Sequence, residues 1–157
     1  MYKIKLLILL LISLILFSCN NKVNHNYNQK FSIDYIDGEY DGLIFSNLLK
    51  YYLESYNLFD PKSNYSISTN LNHSTNVYIT NIDNTSDRER LESSIIFKIY
   101  DSKLSCDIYE YKEDISQFYI FASGEKFTSN EKALEEIKFN NSETIIKRFI
   151  NELVNIK

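Results

Sequence analysis

Residues 31–57 read FSIDYIDGEYDGLIFSNLLKYYLESYN, and the apolar period changes inside them. Phe31-Ser-Ile-Asp-Tyr-Ile36 alternates apolar with polar side chains, the pattern of a strand with one buried face. Asp37-Gly38 breaks the alternation. From Asp41 to Asn57 the spacing is helical: Phe45, Leu48, Leu49, Tyr52, Leu53 and Tyr56 share one side, with Lys50 and Glu54 opposite. Asp41 suits the positive end of the helix dipole. Asp60-Pro61 stops the helix, because proline lacks an amide hydrogen and clashes with the preceding turn. A one-sided strand followed at once by a one-sided helix must bury both faces against the rest of the chain.

The rest of the chain offers more of both. Tyr65–Leu71 and Val77–Ile82 alternate, and His73-Ser-Thr-Asn76 between them is either a turn or a bulge within one long strand. Leu91–Tyr100 places Leu91, Ile95, Phe97 and Ile99 on one face, interrupted by Ser93. Asp101-Ser-Lys103 suits a hairpin turn. Ser105–Phe121 then sets Tyr109, Tyr111, Ile115, Tyr119 and Phe121 on one side, and its charged centre Lys112-Glu-Asp114 predicts a bulge or bend. Thr128-Ser-Asn-Glu131 has the spacing of a helix capping box. Ala133, Leu134 and Ile137 open an apolar stripe that Ile145, Ile146, Phe149, Ile150, Leu153 and Val154 continue. Asn140-Asn-Ser142 interrupts it, with Asn141 on the stripe itself, so a kink or break is expected there. An unbroken helix would run about 27 residues, or roughly 40 Å. The order β-α-β-β-β-α predicts an α+β fold, a two-layer sandwich with two amphipathic helices on one face of a small mixed or antiparallel sheet.

The N-terminus has a different character. Residues 6–22 read LLILLLISLILFSCNNK, preceded by Lys3 and Lys5. The apolar run from Leu6 to Phe17 is shorter than the roughly 20 residues a membrane span needs. It suits the core of a secretory signal, about 7 to 15 residues. Leu16-Phe17-Ser18-Cys19 resembles the lipobox of bacterial lipoproteins, although Phe17 is bulkier than the residue usual there. The resemblance implies that residues 1–18 are a lipoprotein signal peptide, that the Cys19 thiol receives diacylglycerol, and that the new amine is acylated, with palmitate or a similar chain. Each buried methylene contributes about 0.8 kcal/mol, and stable anchoring takes more than one chain. Asn20, where aspartate would retain a lipoprotein in the inner membrane, implies the periplasmic face of the outer membrane. Residues 19–30, polar and aperiodic after the cysteine, read as a lipidated flexible tether. Residues 31–157 read as a single α+β domain.

Cleavage would leave 139 residues with 15 basic against 21 acidic side chains, a net charge of −6. That balance argues against nucleic acid, which asks for a basic patch. Cys106 is the only cysteine besides Cys19. With Cys19 carrying lipid, Cys106 is expected unpaired, as a small apolar group in a strand. No catalytic or metal constellation is visible. His25 falls in the tether and His73 in a turn, and neither has a Cys or Glu frame for zinc. Three glycines make no phosphate loop. The expectation is a non-enzymatic chain with no catalytic residue, no metal and no cofactor beyond the lipid on Cys19. Thirteen tyrosines and ten phenylalanines suit a binding module, because an aromatic ring buries area while a phenol keeps a hydrogen bond.

The order of elements and several segments together resemble the lipopolysaccharide-assembly lipoprotein family, LptE-like, over about residues 31–155. These are the lipobox, a strand leading directly into a helix ending LLKYYLESYN, and RERLESSIIFKIYDSK with its arginines before a strand. A Tyr-rich strand then passes through FASGEKFTSNEKALEEIKF into SETIIKRFINELVNI. Asn20-Asn21 departs from the Gly-Phe that often follows the family's cysteine. The resemblance implies a plug inside an outer-membrane β-barrel (LptD-like), helping it assemble and deliver lipopolysaccharide to the cell surface. Arg88 and Arg90, in the expected turn between strands, are candidates for contact with its phosphates; Asp87 and Glu89 beside them suit plain solvated charge instead. An auxiliary periplasmic lipoprotein of a lipid or solute ABC transporter could share the strand–helix start, and an orphan periplasmic hydrolase is a third reading.

Overall fold

The computed structural model describes residues 29–78, 88–120 and 127–155. The elements are β1 (Ser32–Ile36), α1 (Glu39–Ser55), β2 (Tyr65–Tyr78), β3 (Arg88–Asp101), β4 (Cys106–Ile120) and α2 (Phe127–Asn155). The strands form one sheet in the order β1-β2-β3-β4, with β1 parallel to β2 and the other pairs antiparallel. The α+β sandwich expected from the sequence is present. The single parallel pair follows from the connection: α1 carries the chain back along the sheet before β2 begins, where a hairpin would have made the pair antiparallel.

Register decides which side chains meet the helices. Pairing places Ile67 opposite Ile99 and Ile99 opposite Tyr109; Thr69, Phe97 and Tyr111 form the next row, and Leu71, Ile95 and Glu113 the one after. Phe45, Leu49 and Leu53 of α1 and Ile145, Ile146, Phe149 and Ile150 of α2 are buried against these rows. The Phe149 ring stacks on Phe97 at 4.0 Å between centroids. Tyr56, expected on the buried side of α1, is instead 50% exposed at the C-cap, where the helical phase has ended. Val154 is likewise 43% exposed, one position past the last buried residue of α2.

Three expected interruptions do not occur, and each has a physical reason. At His73–Asn76, β2 is continuous: every residue has a partner on β3, from Ser93 opposite His73 to Arg90 opposite Asn76. At Lys112–Asp114, β4 keeps its pairing with β3 residue by residue, because alternation sorts the charges. Lys112 and Asp114 face outward and pair at 3.4 Å, while Glu113 faces inward. There it accepts from the Tyr111 hydroxyl at 2.7 Å and from Arg148 of α2 at 2.5 Å. The bulge sits instead beside the hairpin turn, where register shifts between Ile99 and Tyr100. At Asn140–Ser142, α2 is unbroken across its 29 residues. The fully buried Asn141 amide donates to Ser93 Oγ at 2.9 Å and accepts from Gln117 Nε2 at 2.6 Å, so it has no reason to compete for the helix backbone.

The hairpin turn at Asp101 is as expected, with the Asp101 carboxylate accepting the Lys103 amide at 2.8 Å and the Leu104 amide at 3.3 Å. Thr128 lies inside the first turn of α2, and its side chain falls outside the described residues. Cys106 opens β4 half-buried. It is disulfide-bonded, not the lone thiol expected. Cys19 and residues 1–28 lie outside the described residues, as do Phe121 and the 79–82 end of the expected second strand. Among the described residues no helix is long and apolar enough to cross a membrane.

The junction between β1 and α1 depends on two glycines. Gly38 holds φ at +111°, a backbone conformation that L side chains rarely adopt. A Cβ on Gly42 would stand 2.6 Å from the Asp37 carbonyl oxygen, a backbone atom that cannot swing aside. Alanine in a helix normally stabilises by up to about 1 kcal/mol over glycine. Overpacking against fixed atoms costs about 1 to 3 kcal/mol. Gly42→Ala should therefore lower unfolding free energy by about 1 kcal/mol or more in a urea titration. Unchanged or higher stability would contradict this packing.

Candidate interaction face

Both helices lie on one side of the sheet, and none of the described elements covers the opposite side of β2–β4. Alternation puts Ser66, Ser68, Asn70, Asn72, Ser74 and Asn76 of β2 on that side. Across it the rows read Asn76–Arg90–Phe118, Ser74–Glu92–Ser116, Asn72–Ser94–Asp114 and Ser68–Lys98–Glu110. On β2 the face is made of short polar groups; β3 and β4 add charge at intervals and the apolar or aromatic side chains Ile96, Tyr100 and Phe118. A depression of about 290 Å³ lies at its centre, lined among others by Asn72, Ser74, Arg90, Ser94, Asp114 and Ser116.

Its charges are largely matched in place. Lys98 Nζ is 3.8 Å from Asp107 and 3.7 Å from Glu110, and Arg90 meets Glu92 at 2.9 Å. A hydrogen bond from Ser94, reinforced by Lys112, holds the Asp114 carboxyl below the usual carboxylate range. Exposed pairs of this kind are each worth about 0 to 1 kcal/mol to stability. Balanced charge of this kind exerts no strong net pull on a polymer of a single sign.

Arg88 and Arg90 are not in a turn. They are the first and third residues of β3, so β-strand alternation aims both toward the uncovered face. The same alternation turns Glu89 to the other side, where its carboxylate accepts from the Tyr119 hydroxyl. Burial, with Glu89 adding to it, pushes the Tyr119 phenol up to about 12. Arg88 is exposed at the far end of the strand. Arg90 is held between Glu92 and the face of Phe118, 6.0 Å from the ring centroid, and its Nε is buried without a hydrogen-bond partner. The two arginines thus share a face, although Arg90 is already largely engaged. Asp87 lies outside the described residues.

Glu92 and Phe118 were not singled out in the sequence. The signal for them was the strict alternation in β3 and β4, which puts both on the arginine side. Among the described residues no three His, Cys, Asp or Glu side chains converge as a metal site. His73, the one described histidine, faces the helices.

No protein-family model and no curated protein sequence matches the chain. Solved structures do resemble it. Rare lipoprotein B from Shewanella oneidensis aligns at 13% identity with a TM-score of 0.59, over 82% of this chain and 98% of that one. A minor lipoprotein from Acinetobacter baumannii gives 12% identity and 0.59, over 81% and 91%. Lipoprotein B from Nitrosomonas europaea gives 10% and 0.60, over 87% and 90%. The chain has the fold of these bacterial lipoproteins. At such identities the likeness is one of fold.

Proposed function

We propose that this chain is a lipid-anchored, non-enzymatic lipoprotein of the outer membrane's periplasmic face. In this reading it fits its uncovered sheet face against the polar inner wall of a large LptD-like β-barrel and helps that barrel assemble and deliver lipopolysaccharide. The observation that carries the proposal is the uncovered face, rich in Ser and Asn with paired charges, on a fold shared with bacterial lipoproteins. A porin-sized barrel has a wide, polar interior. Short neutral side chains meet such a wall with little desolvation cost, because each has hydrogen bonds to exchange and no net charge to bury. The lipobox-like Leu16–Cys19 supplies the anchor.

Extraction of the native chain from outer membranes tests both halves of the proposal. The expected result is a β-barrel co-purifying with a chain that starts at Cys19 and carries acyl mass. Recovery with an ATPase and permease, or of an unacylated chain with Met1 intact, would overturn it.

The arginine corner gives a narrower test. Phosphates on lipopolysaccharide would be met by Arg88 and Arg90 together, with Arg90 released from Glu92. Arg88→Ala combined with Arg90→Ala should reduce lipopolysaccharide captured with the purified protein several-fold, while barrel co-purification persists. Unchanged capture would remove these residues from the contact.

A further inference from the structure

The two edges of the sheet differ in how they are protected. An edge strand presents unpaired backbone N–H and C=O groups, and proteins blunt such strands by keeping them short, bulging them or placing proline on them. β1 has two of these devices, since it is five residues long and its register shifts between Ile33 and Ile36. β4 is the other edge. It pairs with β3 residue by residue from Tyr109 to Ile120, holds no proline, and has its one register shift beside the hairpin turn. Among the described residues no strand pairs with its outer side. Alternate backbone groups along it therefore point away from the sheet.

The side chains of β4 follow the same outline. Tyr109, Tyr111 and Ile115 face the helices but are only partly buried, at the rim of the core. On the opposite face Glu110, Lys112 and Asp114 alternate in sign. Like charges directly opposite one another destabilise a strand pair and unlike charges support it, so this pattern selects among neighbours.

For a second copy running antiparallel about a two-fold axis, the residue on the axis faces itself. Axes at Lys112, Glu113 or Asp114 each set a charge against its own kind. An axis at Tyr111 leaves only 109–113 before the bulge, and one at Ser116 sets Asp114 against the ring of Phe118. An axis at Ile115 opposes no like charges. Towards the helices it sets Ile115 against Ile115, Tyr111 against Tyr119 and Glu113 against the neutral amide of Gln117. The partly buried apolar rim of one copy thus continues into the other. On the opposite face Asp114 meets the Ser116 hydroxyl and Lys112 meets Phe118, which is 56% exposed. The paired segment covers 110–120, and half of its opposed pairs exchanging two bonds each gives about ten backbone hydrogen bonds.

We propose that free copies of this chain pair through their β4 edges, antiparallel and centred on Ile115. Two four-stranded sheets then become one continuous sheet with both helical layers on the same side. This goes beyond the barrel reading, because it uses the edge of the sheet and not its uncovered face.

The native chain in density-matched detergent micelles, with no barrel present, carries the test. Sedimentation equilibrium should give a dimer. Raising the concentration should slow amide exchange at alternate positions of 110–120 and leave Ser32–Ile36 unchanged. Two substitutions on the face turned away from the helices read the register. Ser116→Lys, which would meet Asp114 of the second copy, should lower the dimer Kd several-fold, and Ser116→Glu should raise it several-fold. A monomer at every concentration, or the reverse order of the two variants, would overturn the proposal. Protection of 110–120 that appears only on adding a β-barrel recovered with the chain would overturn it too, and would assign this edge to a strand of that partner.

Discussion

The ring of Phe149 lies on that of Phe97, centroids 4.0 Å apart and planes 11° from parallel, and this stack joins the middle of α2 to the middle of the sheet. Phe45 of α1 reaches the same ring at 5.8 Å, and Tyr111 packs within 6.1 Å of Phe97 and 5.6 Å of Phe149. Aromatic pairs in such geometries add about 0.5 to 1.5 kcal/mol each beyond the area they bury. More important is what the cluster fixes. β3 has one face buried along nearly its whole length, so a slip of one residue would move Phe97, Ile95 and Ile99 into water. Register in the three long strands is thereby set from the centre.

One-sided burial has a counterpart on the other side. With every large apolar residue of β3 except Ile96 and Tyr100 claimed by the helices, the opposite positions are free to be polar, and in β2 they are without exception Ser or Asn from Ser66 to Asn76. Those residues contribute little to the core and would be odd choices for strand propensity, since Asn is depleted in strands. Neither core packing nor strand propensity accounts for the make-up of this face. Charge follows the same logic, with acids and bases interleaved across rows instead of gathered by sign.

Element type was legible in the sequence because period survives without knowledge of partners. Both helices, the hairpin turn at Asp101 and the inner rows of β3 and α2 could be read from spacing alone. The misreadings share one cause. His73–Asn76, Lys112–Asp114 and Asn140–Ser142 all look like breaks when polar residues are assumed to seek water. Each is instead polar in a regular element whose partner sits on a distant segment: Ser93 for His73, Arg148 for Glu113, Gln117 for Asn141. Long-range satisfaction of this kind leaves no local trace. Arg90 looks like a turn residue for the same reason, since Phe118 becomes its neighbour only once β3 and β4 are in register.

The account stands on the uncovered sheet face being the side that meets the partner. Site-specific photo-crosslinking in native membranes tests it directly. A crosslinking residue at Ser74 or Ser94 on that face should capture a β-barrel, whereas one at Asn47 or Asn151 on the exposed sides of the helices should capture little. Capture from the helix positions with silence from Ser74 and Ser94 would contradict it.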